Sequence, residues 1–193
     1  GFLEESCTDK QKKLLSKAVH GNNKAFEELM SPYMKIIYNY ILVHVTNTED
    51  VKDILQDTML GVWCSLKTFN WQSSFKTWII GITRRKIADY YRKIYSDKKK
   101  DQLDISQLNE DFQLVSQWRD FTDSTLDKID IRNAINNLSP RDKDLLYLVF
   151  NVQLTYNEIQ DITKIPVGTI KSRIYAIKAK LRPLLEDRRD NCE

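Results

Sequence analysis

The sequence predicts an all-α protein: two small helical domains joined by a flexible acidic linker. Three observations carry this. Apolar residues recur at steps of three and four along both ends of the chain, and no stretch shows the strict alternation of a half-buried strand. Helix-start signals precede several of those periodic stretches. Composition then shifts abruptly: from Asp101 to Asp127 the acidic residues Asp101, Asp104, Glu110, Asp111, Asp120, Asp123 and Asp127 face Arg119 alone, and apolar periodicity lapses. With 193 residues the chain is long enough for two small domains. The expected boundaries are 1–96, a linker over 97–125, and 126–193.

Taken in order, Thr8 and Gln11 predict a capping box for a short helix through about Val19. Gly21-Asn22-Asn23 reads as a turn. Helical periodicity then runs from Lys24 to about Val45 through Phe26, Leu29, Ile37 and Ile41, with Pro32 kinking or dividing it. Thr46-Asn47-Thr48 breaks it, and Thr48 is expected to cap a helix from Glu49 to Lys67. That helix buries Val51, Ile54, Leu55, Met59 and Val62 and presents Asp50, Asp53, Gln56 and Asp57 outward. Acidic first turns complement the helix dipole, but Gln56 and Asp57 lie beyond the reach of that explanation. Thr68 to Ser73 reads as a loop. Ser74 should cap the next helix, to about Tyr95, whose apolar side includes Phe75 and Trp78. Its other faces are strongly basic, with Lys76, Arg84, Arg85, Lys86, Arg92 and Lys93. Trp71, between Asn70 and Gln72, is open to either packing or stacking on an unpaired base.

After the linker, with at most transient helix near Phe112 to Trp118, helical pattern resumes at Leu126 and runs to Asn136. Ser139-Pro140-Arg141-Asp142 is a helix start: a hydroxyl cap, a proline at the first helical position and a carboxylate in the first turn. Thr155-Tyr156-Asn157-Glu158 is a capping box for a helix over Tyr156–Ile162. Thr163-Lys164-Ile165-Pro166 ends it, and a further helix starts near Val167. Val167, Ile170, Ile174, Ile177 and Leu181 make its buried stripe. Opposite lie Thr169, Lys171, Ser172, Arg173, Tyr175, Lys178 and Lys180. Helix, short turn and a second helix with a cationic, hydroxyl-bearing outer face is the helix-turn-helix arrangement, which reads duplex DNA from the start of its second helix.

The chain is 41% hydrophobic and 30% charged, with a net charge of only +3, unevenly spread. No apolar run reaches membrane-spanning length, and the opening GFLEESC has no basic stretch followed by an apolar one. Cys7, Cys64 and Cys192 are widely spaced, and His20 and His44 stand apart from them, so no metal site is indicated. Reduced thiols in a cytoplasmic protein are expected. There is no glycine-rich phosphate loop and no nucleophile with a histidine near it in sequence, so no cofactor and no enzymatic activity are expected.

Specific residues carry a resemblance. Ala25-Phe26-Glu27-Glu28-Leu29, Glu49-Asp50, Leu55-Gln56-Asp57-Thr58, Ser74-Phe75-Lys76-Thr77-Trp78 and Asp89-Tyr90-Tyr91-Arg92 resemble region 2 of bacterial sigma factors. Leu138-Ser139-Pro140-Arg141, with Pro166-Val167-Gly168-Thr169-Ile170-Lys171-Ser172-Arg173, resembles region 4. The tether without a region 3 is similar to the extracytoplasmic-function (ECF) group. The resemblance implies that Asp50, Asp53, Gln56 and Asp57 dock on the β′ clamp helices of core RNA polymerase. It implies minus-ten contacts from Asn70, Trp71, Lys76, Arg84 and Arg85, which capture melted bases. Minus-thirty-five contacts would come from Thr169, Lys171, Ser172, Arg173, Tyr175 and Lys178. Further implied partners are the polymerase β flap, promoter DNA and an anti-sigma factor. Arg85 stands where the family usually has Asn, and Gln160 and Lys164 where it usually has a small residue and a turn Gly; Lys164 is expected to take a left-handed conformation or to change the turn. A free-standing helix-turn-helix regulator, with an N-terminal dimerisation or sensor module, is the alternative.

Overall fold

The computed structural model describes residues 2–100 and 134–186, with side chains placed over 9–96 and 134–183. Among the described residues the regular structure is helical. The helices are α1 (Phe2–Val19), α2 (Asn23–Met30), α3 (Met34–His44), α4 (Thr48–Ser65), α5 (Phe75–Lys100), α6 (Pro140–Phe150), α7 (Tyr156–Thr163) and α8 (Val167–Glu186). Residues 134–136 add a helical turn ahead of α6.

The helix starts follow local chemistry, and two of them differ from the sequence expectation. Asn22 caps α2 by accepting from the Ala25 N–H at 3.0 Å, and Ser74 caps α5 by accepting from the Thr77 N–H at 3.1 Å. At Pro32 the chain tightens into a 3-10 turn, Ser31–Tyr33, so the proline divides the long periodic stretch. The first exception is α1, which runs through Thr8 from Phe2 instead of beginning at Thr8. No Pro or Gly lies between Phe2 and Thr8 to stop it, so the local capping preference of Thr8 loses to helix continuation. The second is α4, whose cap is Asn47 and not Thr48. Its Oδ1 accepts from Glu49 at 2.9 Å and Asp50 at 3.4 Å, consistent with the stronger capping preference of Asn over Thr. Helix α4 also stops at Ser65, two residues short of Lys67, and gives way to a 3-10 turn, Leu66–Thr68.

Helix α5 continues past Tyr95 to Lys100, so the first residues expected in the linker extend a helix. The rest of that linker lies outside the described residues. So do the transient helix near Phe112 to Trp118 and most of the helix expected over Leu126–Asn136.

Apolar burial organises each half. Phe26, Leu29, Ile37, Ile41, Val51, Ile54, Val62, Phe75 and Ile79 are buried among α2–α5, and each such side chain contributes roughly 1.5–3 kcal/mol. Phe69 and Phe75 meet edge to face at 5.2 Å, and Phe75 stacks on Trp78 at 5.7 Å. In the other half Leu145, Leu148, Ile159, Ile170, Ile174 and Ile177 are buried between α6, α7 and α8. The halves meet where α6 lies against α3 and α7 against α5, and Arg84 of α5 also reaches Asp144 of α6. Among the described residues no helix is long and apolar enough to cross a membrane.

Candidate nucleic-acid interfaces

The helix-turn-helix is built from local hydrogen bonds. Thr155 and Glu158 form the reciprocal capping box of α7: the Glu158 N–H donates to the Thr155 hydroxyl at 3.2 Å and the Thr155 N–H donates to Glu158 Oε2 at 2.9 Å. Lys164 ends α7 in the left-handed region, at φ 62°, and its N–H donates to the Gln160 carbonyl at 2.8 Å. The Gln160 side chain then accepts from the Val167 N–H at 2.9 Å, satisfying a free donor at the start of α8.

Helix α8 buries Ile170, Ile174 and Ile177 and half-buries Val167 and Leu181. Thr169, Lys171, Ser172 and Lys178 are exposed on the other side, and Tyr175 is 77% exposed. Lys178 lies over the Phe150 ring at 5.5 Å. Arg173 is held in place: its guanidinium donates to Asp142 of α6 at 3.0 Å. A protruding ring, short hydroxyls and cations on one solvent-facing stripe suit insertion into a major groove.

The second basic surface lies around the start of α5. Asn70 is exposed and its side chain accepts from the Gln72 N–H at 3.2 Å. Trp71 is 39% exposed, sits at φ 62°, packs against Phe69 at 4.8 Å and lies under the Lys12 ammonium at 5.9 Å. Lys76 is half-buried and Arg85 exposed, its Nε donating to the Gly81 carbonyl at 3.3 Å. Arg84 is different. Its guanidinium donates to Asp144 Oδ2 of α6 at 2.6 Å and to the Tyr40 hydroxyl. Tyr40 in turn donates to Asp144 Oδ1 at 2.6 Å, and His44 Nε2 lies 3.2 Å from the same oxygen without hydrogen-bond alignment. Burial works against the Asp144 carboxylate, yet His44, Arg84 and Tyr40 outweigh it and hold its pKa well below the carboxylate range. Burial and the Asp144 charge push the Tyr40 hydroxyl well up.

Glu158 makes a matching contact at the other end of the same face of α5. Its Oε1 accepts from the Thr77 hydroxyl at 2.6 Å and the Ser74 hydroxyl at 3.1 Å. Burial raises its pKa, and hydrogen bonds from Thr77, Thr155 and Ser74 lower it further than burial raises it. Between the two carboxylates lies Gly81, where a Cβ would meet Ile162 of α7 at 3.6 Å. A cleft of about 800 Å³ remains beside these contacts, bordered by His44, Trp78, Tyr91, Asp161 and Lys164 among others.

The acidic face of α4 is a third surface. Asp53, Gln56 and Asp57 are exposed, and the exposed Leu60 extends the row by one turn. Asp50 is half-buried and accepts from the Tyr90 hydroxyl at 2.7 Å, which ties α4 to α5. Among the described residues no three His, Cys, Asp or Glu side chains converge as a metal ion requires.

Sequence reasoning brought out the exposed stripes but missed Tyr40, His44, Asp144 and the second role of Glu158. An isolated tyrosine or aspartate on an apolar face was the available signal, and it does not name a partner.

Comparison with known proteins agrees with this layout. The model of sigma-70 region 2 matches residues 26–95, and that of sigma-70 region 4 matches 128–181. The ECF RNA polymerase sigma-E factor of Haemophilus influenzae is 26% identical, over 95% of this chain and 100% of its own length. The ECF RNA polymerase sigma factor SigW of Bacillus subtilis is 25% identical, over 91% and 97%. A similar fold occurs in the sigma factor RpoE of Bartonella quintana, solved with the anti-sigma factor NepR, at TM-score 0.63 and 22% identity over 84% of this chain and 98% of that one. CnrH, solved with the cytosolic domain of CnrY, has TM-score 0.61 and 20% identity over 92% and 98%. With region 2 and region 4 in that order over more than half its length, the chain belongs to the sigma-70 family, as an RNA polymerase sigma factor of the ECF group.

Proposed function

We propose that this chain acts in the cytoplasm as a non-enzymatic initiation factor, binding core RNA polymerase through α4 and promoter DNA through α5 and α8. The single observation that carries this reading is the solvent-facing stripe of α8, with Thr169, Lys171, Ser172, Tyr175 and Lys178 presented from a well-capped helix-turn-helix. It is the surface for the minus-thirty-five element. Asn70, Trp71, Lys76, Arg84 and Arg85 form the surface for the minus-ten element, where the Trp71 ring offers a stacking platform for an unpaired base. Asp53, Gln56 and Asp57 form the ridge for the cationic β′ clamp helices, making charge-assisted hydrogen bonds; Asp50 supports that ridge through Tyr90. The domain limits are 1–96, with α5 carrying on to Lys100, and 126–193, and region 4 also meets the β flap. An anti-sigma protein is a further partner, as it is for the Bartonella quintana factor of similar fold.

Run-off transcription with purified core polymerase on a pool of promoters tests the reading. Defined transcripts should appear only when the chain is added. If none appear, and the chain fails to co-elute with core at low ionic strength, the reading is wrong.

A further inference from the structure

We propose that Lys12 of α1 is a further promoter contact, taking the phosphate of the unpaired nucleotide whose base stacks on Trp71. The inference rests on the minus-ten reading of the Trp71 loop and brings a further helix into that surface. Helix α1 ends at Val19, ahead of the residues 26–95 that match region 2.

The charge on α1 is one-sided. From Lys10 to Lys17 its exposed charged residues are all lysines: Lys10, Lys12, Lys13 and Lys17. Leu15 and Ala18 are buried, and Gln11 donates to the Tyr33 hydroxyl at 2.7 Å, which fixes the helix against its domain. It packs on α2 and on the 3-10 turn Leu66–Thr68 that leads into the Trp71 loop. Lys10 is neutralised by Glu28 at 2.9 Å. Lys12 pairs with no carboxylate among the described residues, and its ammonium lies 5.9 Å from the centroid of the Trp71 ring.

The loop presents that ring. Trp71 sits at φ 62°, a left-handed conformation that a bulky residue seldom adopts without a compensating demand. The Asn70 side chain accepts from the Gln72 N–H at 3.2 Å across it. The indole packs against Phe69 at 4.8 Å, and Phe69 is itself set against Phe75 at 5.2 Å and Trp78 at 5.1 Å. A partly exposed ring thus rests on a rigid aromatic base with an unpaired cation beside it.

The base and phosphate of one nucleotide are joined through a single sugar. A stacking ring and a cation a few ångströms apart therefore grip both ends of it. The ring attracts the ammonium only through its quadrupole, which leaves the positive charge unneutralised. A phosphate offers a full negative charge, and the flexible four-carbon stem lets the ammonium swing to it. The same movement uncovers the indole for the base. Lys12 is held at the site before DNA arrives, and the captured nucleotide completes an ion pair that the folded chain leaves open.

A double-mutant cycle between Lys12 and the strand tests this. Holoenzyme assembled from core polymerase and the full chain is titrated with a promoter recovered from the run-off pool, pre-opened across its minus-ten element. The non-template strand carries one methylphosphonate, a neutral linkage, at each position in turn. At one position the neutral linkage should weaken wild-type binding about fivefold. Lys12→Gln should weaken binding of unmodified DNA by the same factor and lose no more when that linkage is neutral. Its salt slope should be shallower by about 0.7, the share of one single-strand phosphate. Lys12→Arg should restore most of the affinity. Lys13→Gln removes an equal charge roughly 100° further round α1 and should keep the wild-type response to the neutral linkage. Unchanged affinity in Lys12→Gln, additive losses at every position, or a lost response in Lys13→Gln overturns the proposal. A wild-type holoenzyme that gives no run-off transcript rejects the initiation-factor reading and Lys12 with it. One that transcribes while the cycle shows no coupling rejects Lys12 alone.

Discussion

Lys164 occupies a position that suits glycine, at φ 62°, and its side chain is exposed. A left-handed conformation costs a non-glycine residue about 1–2 kcal/mol, offset in part by the greater freedom glycine has when unfolded. Lys164→Gly should therefore raise stability by roughly 0.5–1 kcal/mol; an unchanged or lower melting temperature would contradict this. On α8, Lys171 is exposed and free of any structural task shown here, whereas Arg173 ties α8 to Asp142. Lys171→Ala should weaken binding of upstream-element duplex about tenfold with no change in melting. Arg173→Ala should weaken binding and also lower stability by up to about 1 kcal/mol, the range for a partly exposed ion pair. Asp142→Ala should reproduce the stability loss, so duplex titration and thermal melting together separate the two roles. These positions were legible in the sequence because their causes are local: a turn, a cap, one face of a helix. The Tyr40–Asp144 hydrogen bond was not, because it joins residues 104 positions apart and neither has a local reason to seek the other.

Helix α4 shows what a single element carries. Its first turn holds Glu49 and Asp50, its cap is Asn47, and its exposed acidic row continues through Asp53 to Asp57. Asn47→Ala should cost about 1 kcal/mol of stability, read by urea denaturation, because two amide donors lose their acceptor. Asp57 has no comparable structural duty. Asp57→Ala should leave the urea midpoint in place and reduce affinity for core polymerase, and an unchanged pull-down would reject the docking assignment. The sequence made the α4 face readable, since carboxylates beyond the first turn need an explanation other than the dipole. It did not make the cap readable: Asn47 and Thr48 are both competent, and the choice depends on where the chain leaving Val45 stays extended. Thr8 failed for a related reason, as a good cap residue does not by itself stop a helix that begins upstream.

At the scale of the whole molecule, the contact between the two halves should respond to acid. Asp144 and Glu158 both titrate below their ordinary values when their partners are in place, so proton uptake works against the contact. What the two carboxylates contribute to the contact is complete above the ordinary carboxylate range, near pH 4, and declines as pH falls through the depressed values. His44, Arg84 and Tyr40 face Asp144, while Ser74, Thr77 and Thr155 face Glu158. Solution scattering across that range should show the wild-type chain expanding below about pH 4, and the Asp144→Asn/Glu158→Gln variant showing no such transition. This level of organisation was the least legible in the sequence. Glu158 already had a complete local explanation in its capping box, which concealed its second engagement. Gly81, midway along the contact, turns the geometry into a dial. A methyl group there would sit at ordinary van der Waals distance from Ile162 and add helix propensity to α5, whereas a bulky side chain would act as a wedge. One codon thereby sets how tightly the two halves seat on each other, leaving every DNA-facing side chain as it is.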